Sequence, residues 1–248
     1  MALRVLVTRP EPAAARTAAR LAAGGHVPVL LPLVETVGLA AVLDPAAAAA
    51  ATAVAATSAN ALRHAAPALL RPVLDRRFYA VGQRTAEAAA AAGFSDVVTG
   101  AGDAADLAAT LVGAAPRGTL AVYLCGRVRR ADFERVLGEG GLRVVAVETY
   151  DAPVIGYASD MVLARLSGGP VDAVLVYSAR AAAAVSALAR RKELAHLFGT
   201  ARFLCISRRA AAELGGVAPD RIAVAQRPEE EALRALLDAA APVQAGKV

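Results

Sequence analysis

Short apolar runs alternate with amphipathic stretches along the whole chain. The runs predict strands at Arg4–Thr8, Val27–Val34, Ala53–Thr57, Phe78–Val81, Asp96–Val98, Leu120–Leu124, Arg143–Thr149, Ala173–Tyr177, Arg202–Ile206 and Arg221–Val224. The stretches between them predict helices at Pro12–Ala23, Ala59–Leu70, Arg84–Ala92, Asp103–Val112, Arg130–Glu139, Ala179–Lys192, Arg208–Leu214 and Glu229–Ala239. Because buried-type strands separated by helices form parallel sheets, this pattern predicts an α/β fold.

The chain also repeats itself once. Residues 54–61 recur in character at 173–181, and residues 103–116 recur at 228–242. Each half is therefore predicted to form a five-strand α/β unit. We expect two similar lobes with a ligand cleft between them. The repeat leaves the topology open. Each half could form its own lobe, or the halves could exchange their last three strands through connectors at Glu35–Gly38 and Thr149–Pro153.

The composition narrows the classes of function. The chain has 248 residues, 57% of them apolar, and no Trp, so an aromatic platform for single-stranded nucleic acid is not expected. A net charge of +5 fits either solvated helix faces or an anionic ligand, whereas no basic arm or zinc spacing supports nucleic acid. Two distant cysteines, with no secretory signal and no membrane span, favour a reducing cytoplasm.

Small and hydroxyl-bearing residues follow the predicted strands. In an open parallel sheet, ligands bind beyond the carboxyl ends of the strands, where the amino termini of helices favour carboxylates or phosphates. The candidates at these positions are Thr8, Arg9, Ser58, Asn60, Gly82, Thr85, Gly126, Arg127, Ser178 and Ser207. Serine, threonine and asparagine are also ordinary helix caps at such junctions, so each has a purely structural alternative.

The sequence lacks the arrangements typical of covalent or metal catalysis. The three histidines form no ligand-spaced pair, and neither a nucleophile elbow nor a Walker motif occurs. Tyr150 lies in the second connector segment. Its phenol would face the cleft as a hydrogen-bond donor, or its ring would pack as a wedge at the hinge.

Five motifs occur in order along essentially the whole chain, at Thr8–Pro10, Thr57–Ala61, Ala80–Ala86, Gly141–Tyr150 and Ser178–Ala181. Together they resemble the uroporphyrinogen-III synthase family. The resemblance implies exchanged halves, with one lobe of residues 1–35 and 152–248, the other of residues 36–151, and a two-segment connector. The chain departs from the family's pattern at Ser207–Ala211, where a glycine and a threonine are missing.

The resemblance also implies a function. It indicates a cytoplasmic hydro-lyase of tetrapyrrole and heme biosynthesis that acts without a metal or an organic cofactor. The reaction is cyclisation of hydroxymethylbilane, a linear polycarboxylate, to uroporphyrinogen III with loss of water and inversion of ring D. By analogy, Tyr150 and Thr85 are catalytic candidates. The other nine candidates at the strand ends would bind the substrate.

The expected partners follow from the same analogy. We expect a monomer that binds neither nucleic acid nor a membrane. A transient contact with the preceding enzyme of the pathway remains an open possibility. Two other functions also stay open. The altered Ser207–Ala211 segment would suit a non-catalytic tetrapyrrole-binding or regulatory paralogue, and the fold alone would suit a sensor of another small anion.

Overall fold

The computed structural model describes residues 2–129 and 131–240. Its strands are β1 Arg4–Val7, β2 Val27–Leu30, β3 Val37–Gly38, β4 Ala51–Ala56, β5 Arg77–Ala80, β6 Val97–Thr99, β7 Leu120–Gly126, β8 Arg143–Asp151, β9 Ala173–Val176, β10 Arg202–Cys205 and β11 Ile222–Val224. Its helices are α1 Ala13–Ala23, α2 Pro45–Ala50, α3 Ala59–Arg63, α4 Pro67–Leu70, α5 Gln83–Ala91, α6 Ala104–Ala114, α7 Asp132–Glu139, α8 Ser159–Arg165, α9 Ala179–Ala189, α10 Ala195–Phe198, α11 Arg208–Ala211 and α12 Glu230–Ala240. The predicted α/β alternation is confirmed.

The contacts divide the chain into two compact units. Unit one comprises Met1–Glu35 and Pro153–Val248, and unit two comprises Thr36–Ala152. Among the described residues, unit one holds a five-stranded sheet in the order β11-β10-β9-β1-β2, with every neighbouring pair parallel. Two of these strands come from the first half of the chain and three from the second. The predicted exchange of halves is therefore confirmed.

Unit two is built in the same way. Its described residues form a sheet in the order β3-β8-β7-β4-β5-β6, parallel except for the two-residue edge strand β3. The segment Glu35–Gly38, predicted as a connector, supplies β3, in which Gly38 pairs with Tyr150. The two chain segments that flank the connectors also pair within unit one. Val34 and Val154 form an isolated antiparallel bridge there.

Both faces of each sheet are covered, which explains the continuous apolar runs in the sequence. Consecutive residues of a strand point to opposite faces. Accordingly, Leu6 joins one core cluster of unit one, whereas Val5 and Val7 join the other. Val54 and Ala55 separate in the same way in unit two. The strands are thus fixed between two helical layers, and their carboxyl ends are left to carry side chains for function.

Some predicted boundaries were wrong. The helix expected over Ala59–Leu70 breaks into α3 and α4, because Pro67 starts a new helix and disfavours helical backbone in the residue before it. The short helices α8 and α10 were not predicted. The helix expected from Arg130 begins at Asp132, and Arg130 itself lies outside the described residues.

Two glycines end helices at positions where the backbone needs a left-handed residue. Gly25 and Gly141 follow α1 and α7 with φ of 78° and 85°, in the left-handed region that glycine adopts readily. Each lets the chain leave a helix and enter a strand within a few residues. Within the described ranges, no helix is both long enough and apolar enough to cross a membrane.

Candidate active site

One edge of the unit-two sheet gathers most of the predicted site residues. Because β8, β7, β4 and β5 are parallel neighbours, their carboxyl ends lie side by side. These ends place Tyr150, Gly126, Ser58 and Gly82 along one row. With about 4.8 Å between strands, the row is roughly 14 Å long. The topology therefore brings together residues that are far apart in the sequence.

The start of α5 forms a groove at this edge. Gly82 is the N-cap residue and offers no side chain as an acceptor, so the amides of Gln83 and Arg84 are left for water or a ligand, whereas the Thr85 amide donates to the Gly82 carbonyl at 3.0 Å. The groove has a volume of about 480 Å³, and its lining includes Ser58, Asn60, Gly82 and Thr85. Thr85 is only 3% exposed as a residue and forms part of the wall of the groove.

Ser58 begins α3 and is engaged as a helix cap. Its Oγ accepts a hydrogen bond from the Asn60 amide at 3.2 Å, as the structural alternative predicted. The Asn60 Oδ1 accepts a hydrogen bond from Arg63 at 3.4 Å. A hydroxyl that accepts in a cap keeps its own proton. Ser58 can therefore still donate a hydrogen bond to a carboxylate in the groove.

Tyr150 is half-buried at the carboxyl end of β8. Its ring stacks on His64 with 6.2 Å between ring centroids, and it lies directly over Gly126. A Cβ atom at position 126 would stand only 2.8 Å from Cζ of Tyr150. None of the described residues hydrogen-bonds the Tyr150 hydroxyl. Gly126 thus serves the site by leaving room for this ring.

A charged network follows β7. Arg127, which is exposed, pairs with Glu148 at 3.4 Å and with Asp151 at 3.5 Å. Arg129 pairs with Glu148 at 2.9 Å and with Glu134 at 3.1 Å. The hydrogen bond from Arg129 holds the pKa of Glu148 below its ordinary value, and hydrogen bonding to Glu134 raises the pKa of Arg129. Arg127 is therefore already compensated by acidic neighbours.

Cys125 and Tyr123 lie beneath the same edge. Burial raises the pKa of each to about 12, and the Tyr123 hydroxyl is 2.7 Å from Oγ1 of Thr57. A buried thiol that stays protonated is neither a nucleophile nor a metal ligand at neutral pH. Across residues 2–129 and 131–240, no cluster of three or more His, Cys, Asp or Glu side chains could hold a metal ion.

Unit one presents the corresponding edge of its own sheet. Ser178 caps α9 by accepting from the Ala181 amide at 3.1 Å, and Ser207 caps α11 by accepting from the Ala210 amide at 3.3 Å. Both serines keep a donor proton. Thr8 is fully buried, and its hydroxyl donates to the Leu175 carbonyl at 2.7 Å. Thr8 therefore joins β1 to β9 and is not available to a ligand in this structure.

Arg9 is held by its own unit. Its guanidinium pairs with Glu230 at 3.1 Å, donates to Thr17 at 3.2 Å and lies 4.2 Å from the centroid of the Tyr177 ring. Burial raises the pKa of Tyr177. Glu230 also pairs with Arg20 at 3.1 Å. The sequence analysis missed this cluster because Arg9 and Glu230 are 221 positions apart.

The fold and the edges define a class of protein. Helix starts and hydroxyl donors at the carboxyl ends of parallel strands suit a small anionic ligand, as in other open α/β sheets. The family described as HEM4, Uroporphyrinogen-III synthase HemD, matches residues 15–235. This chain belongs to that family, as its motifs predicted. It is a lyase-type family of heme biosynthesis that acts on the tetrapyrrole hydroxymethylbilane.

Solved structures agree on the fold. A uroporphyrinogen-III synthetase from Helicobacter pylori 26695 is 17% identical, with a TM-score of 0.66 over 96% of this chain and 99% of that one. A mutant uroporphyrinogen III synthase from the extremely thermophilic bacterium Thermus thermophilus is 21% identical, with a TM-score of 0.54 over 96% of this chain and 98% of that one. A search of curated proteins gave no match. At these identities, the two likenesses concern the fold.

Proposed function

We propose that this chain converts hydroxymethylbilane to uroporphyrinogen III, with loss of water and inversion of ring D, at the strand ends described above. The observation that carries the proposal is the family match over residues 15–235, combined with Tyr150, Gly126, Ser58 and Gly82 along one sheet edge. The alternative of a non-catalytic paralogue is not favoured by the family match.

The chemistry requires little covalent help. Breaking the C–O bond of the hydroxymethyl group releases water and leaves an azafulvenium cation that the pyrrole nitrogen stabilises. The substituted carbon of ring D then attacks this cation and gives a spiro intermediate. The bond from that carbon to the bridge to ring C breaks, the bridge bonds to the free carbon of ring D, and loss of the proton from that carbon balances the proton given to the departing hydroxyl. The protein must chiefly hold the chain in the geometry that favours this attack over direct closure.

In this proposal, Tyr150 donates a proton to the departing hydroxyl. Its phenol is half-buried and forms no hydrogen bond with a described residue, and its ring is held between Gly126 and His64. A neutral donor in a fixed position lowers the barrier to C–O cleavage without a metal. Thr85, in the wall of the α5 groove, shapes the first turn of that helix.

The same proposal assigns carboxylate binding to the helix starts. The uncapped amides after Gly82 and the hydroxyl protons of Ser58, Ser178 and Ser207 are donors of the kind that a substrate with many carboxylates requires. Arg9 and Thr8 have structural roles instead, because their polar groups are already engaged within unit one. Arg127 contributes a charge that its acidic neighbours partly compensate.

We also place the reaction in the cytoplasm and expect a monomeric enzyme. Cys125 and Cys205 are both free and buried, which suits a reducing compartment. Size-exclusion chromatography with light scattering would test the monomer.

An isomer assay tests the proposed function. Freshly made hydroxymethylbilane is supplied, and the products are oxidised and resolved as isomers I and III. We expect wild type to give isomer III. Tyr150→Phe should lower kcat by about 10- to 100-fold, because general acids contribute factors of this order or more. Tyr157→Phe, which alters a buried tyrosine in the core of unit one, is the matched control.

The outcomes separate the parts of the proposal. Isomer I alone from wild type would reject the synthase activity and favour the non-catalytic paralogue. Isomer III from wild type with an unchanged kcat for Tyr150→Phe would keep the activity and limit Tyr150 to a steric role.

A further inference from the structure

Two arginines stand beside the α5 groove without a carboxylate partner. Arg63 ends α3 and Arg84 lies in the first turn of α5, and both line the groove that Gly82 opens. Arg63 donates to Asn60, but neither guanidinium forms an ion pair with any described residue. Arg9, by contrast, is held by Glu230. The charges of Arg63 and Arg84 are therefore available to a ligand.

A second groove continues from the same two residues. It has a volume of about 370 Å³, runs between α3 and α5, and includes Leu62, Ala88 and Ala91 in its lining. Arg63 and Arg84 line both grooves, so they form the rim that the two share. An extended acidic arm that leaves the α5 groove would meet this rim first.

Glu87 sets the charge balance there. It lines the second groove and accepts a hydrogen bond from Nε2 of Gln83 at 3.2 Å. With two guanidinium groups and one carboxylate, the rim keeps one positive charge. A single carboxylate from a ligand would neutralise this remaining positive charge, and the amides at the start of α5 would also favour its binding.

We propose that Arg63 and Arg84 bind one carboxylate-bearing side chain of the linear tetrapyrrole at the rim shared by the two grooves. This assignment rests on the proposed function and adds two residues that the sequence analysis did not propose for binding, Arg63 outside the five motifs and Arg84 within the Ala80–Ala86 motif. Both arginines contribute to binding of the substrate and not to the chemical step, so their loss should act on KM and affinity.

The experiment uses the full chain and two readouts. Uroporphyrin III, the stable oxidised product with eight carboxylates, is titrated by fluorescence, and steady-state kinetics are measured with hydroxymethylbilane. Arg63→Gln and Arg84→Gln should each weaken uroporphyrin binding and raise KM about fivefold, equivalent to about 1 kcal/mol, with kcat changed less than twofold. Arg84→Lys should recover part of the loss.

Two further variants sharpen the test. Glu87→Gln removes the competing negative charge, so it should tighten uroporphyrin binding about twofold, opposite in sign to the arginine variants. Arg143→Gln changes the net charge equally at the amino-terminal end of β8, away from both grooves, and should leave affinity and KM unchanged.

The results distinguish this inference from the proposed function. Isomer I alone from wild type would overturn both. Isomer III from wild type, together with unchanged KM and affinity in both arginine-to-glutamine variants, would overturn the rim assignment only. An equal loss in Arg143→Gln would also overturn it, because bulk charge would then explain the effect.

Discussion

Replacing Gly126 with alanine should displace the ring of Tyr150 while leaving its hydroxyl intact. The added Cβ would lie 2.8 Å from Cζ, 3.0 Å from the hydroxyl oxygen and 3.1 Å from Cε2, whereas ordinary contacts begin near 3.4 Å. The ring must therefore move by at least about 0.6 Å, or the strand must bend. The backbone of Gly126 imposes no further penalty, because its φ is not in the left-handed region.

The expected effects follow from that displacement. Overpacking costs about 1–3 kcal/mol, and the reduced freedom of the unfolded chain offsets about 0.5–1 kcal/mol of it. We expect a net loss of about 1–2 kcal/mol in the free energy of unfolding, measured by urea titration. A proton donor moved by this distance should lower kcat by about tenfold or more, because catalytic geometry tolerates little displacement.

Two backgrounds show whether the effect passes through Tyr150. In Tyr150→Ala the clash is absent, so Gly126→Ala should no longer destabilise the protein. In Tyr150→Phe the hydroxyl is already gone, so Gly126→Ala should add little further loss of kcat. Gly113→Ala is the matched control, since its added Cβ meets nothing within 4 Å. Wild-type kcat and stability in Gly126→Ala would refute the reasoning.

Three smaller predictions concern residues around the two edges. Thr8→Val should lower the free energy of unfolding by about 1–2 kcal/mol, because a buried hydrogen bond is lost, and should leave kcat unchanged. A lower kcat at unchanged stability would instead show that Thr8 binds the substrate. Cys125 and Cys205, whose pKa burial raises to about 12, should react with iodoacetamide at pH 8 only after denaturant is added, and rapid labelling of the native protein would contradict their burial. The pKa of Glu148 is lowered in the folded protein, so its stabilising contribution is present above pH 4.5 and is lost as the pH falls through the lower folded value. The stability difference between wild type and Glu148→Gln should therefore shrink below that pH in denaturant titrations, and a difference that grew on acidification would contradict the assigned sign.

Much of the fold could be predicted because strand burial leaves a strong local signal. The apolar runs located every long strand to within a few residues, and the repeat limited the topology to two choices. It could not decide between them, because exchanged and separate halves bury the same residues. The two-residue strand β3 was predicted only as a connector segment, since Val37 and Gly38 become a strand solely through pairing with Asp151 and Tyr150.

The site was less predictable, because residues far away in the sequence decide whether a polar side chain is already hydrogen-bonded or free to bind a ligand. Thr8 and Arg9 match the expected pattern in sequence, yet Leu175 and Glu230 already occupy their polar groups. Arg63 shows the reverse case. It resembles a solvated helix residue in the sequence, and only the packing of α3 beside α5 shows that it lines a groove.

The departure from the family motif at residues 207–211 acquires a physical meaning from the two helix starts. Gly82 leaves the amides of α5 uncapped, whereas Ser207 directs its own oxygen to the Ala210 amide and satisfies one donor of α11 internally. With only four residues, α11 also has a weak dipole to offer an anion. In the proposed arrangement, the altered copy therefore offers one amide fewer in unit one, while the uncapped amides of α5 and the arginines Arg63 and Arg84 of unit two are unaffected. For this reason, the loss of glycine and threonine at this segment is compatible with an active synthase in which unit two binds the substrate carboxylates more strongly than unit one.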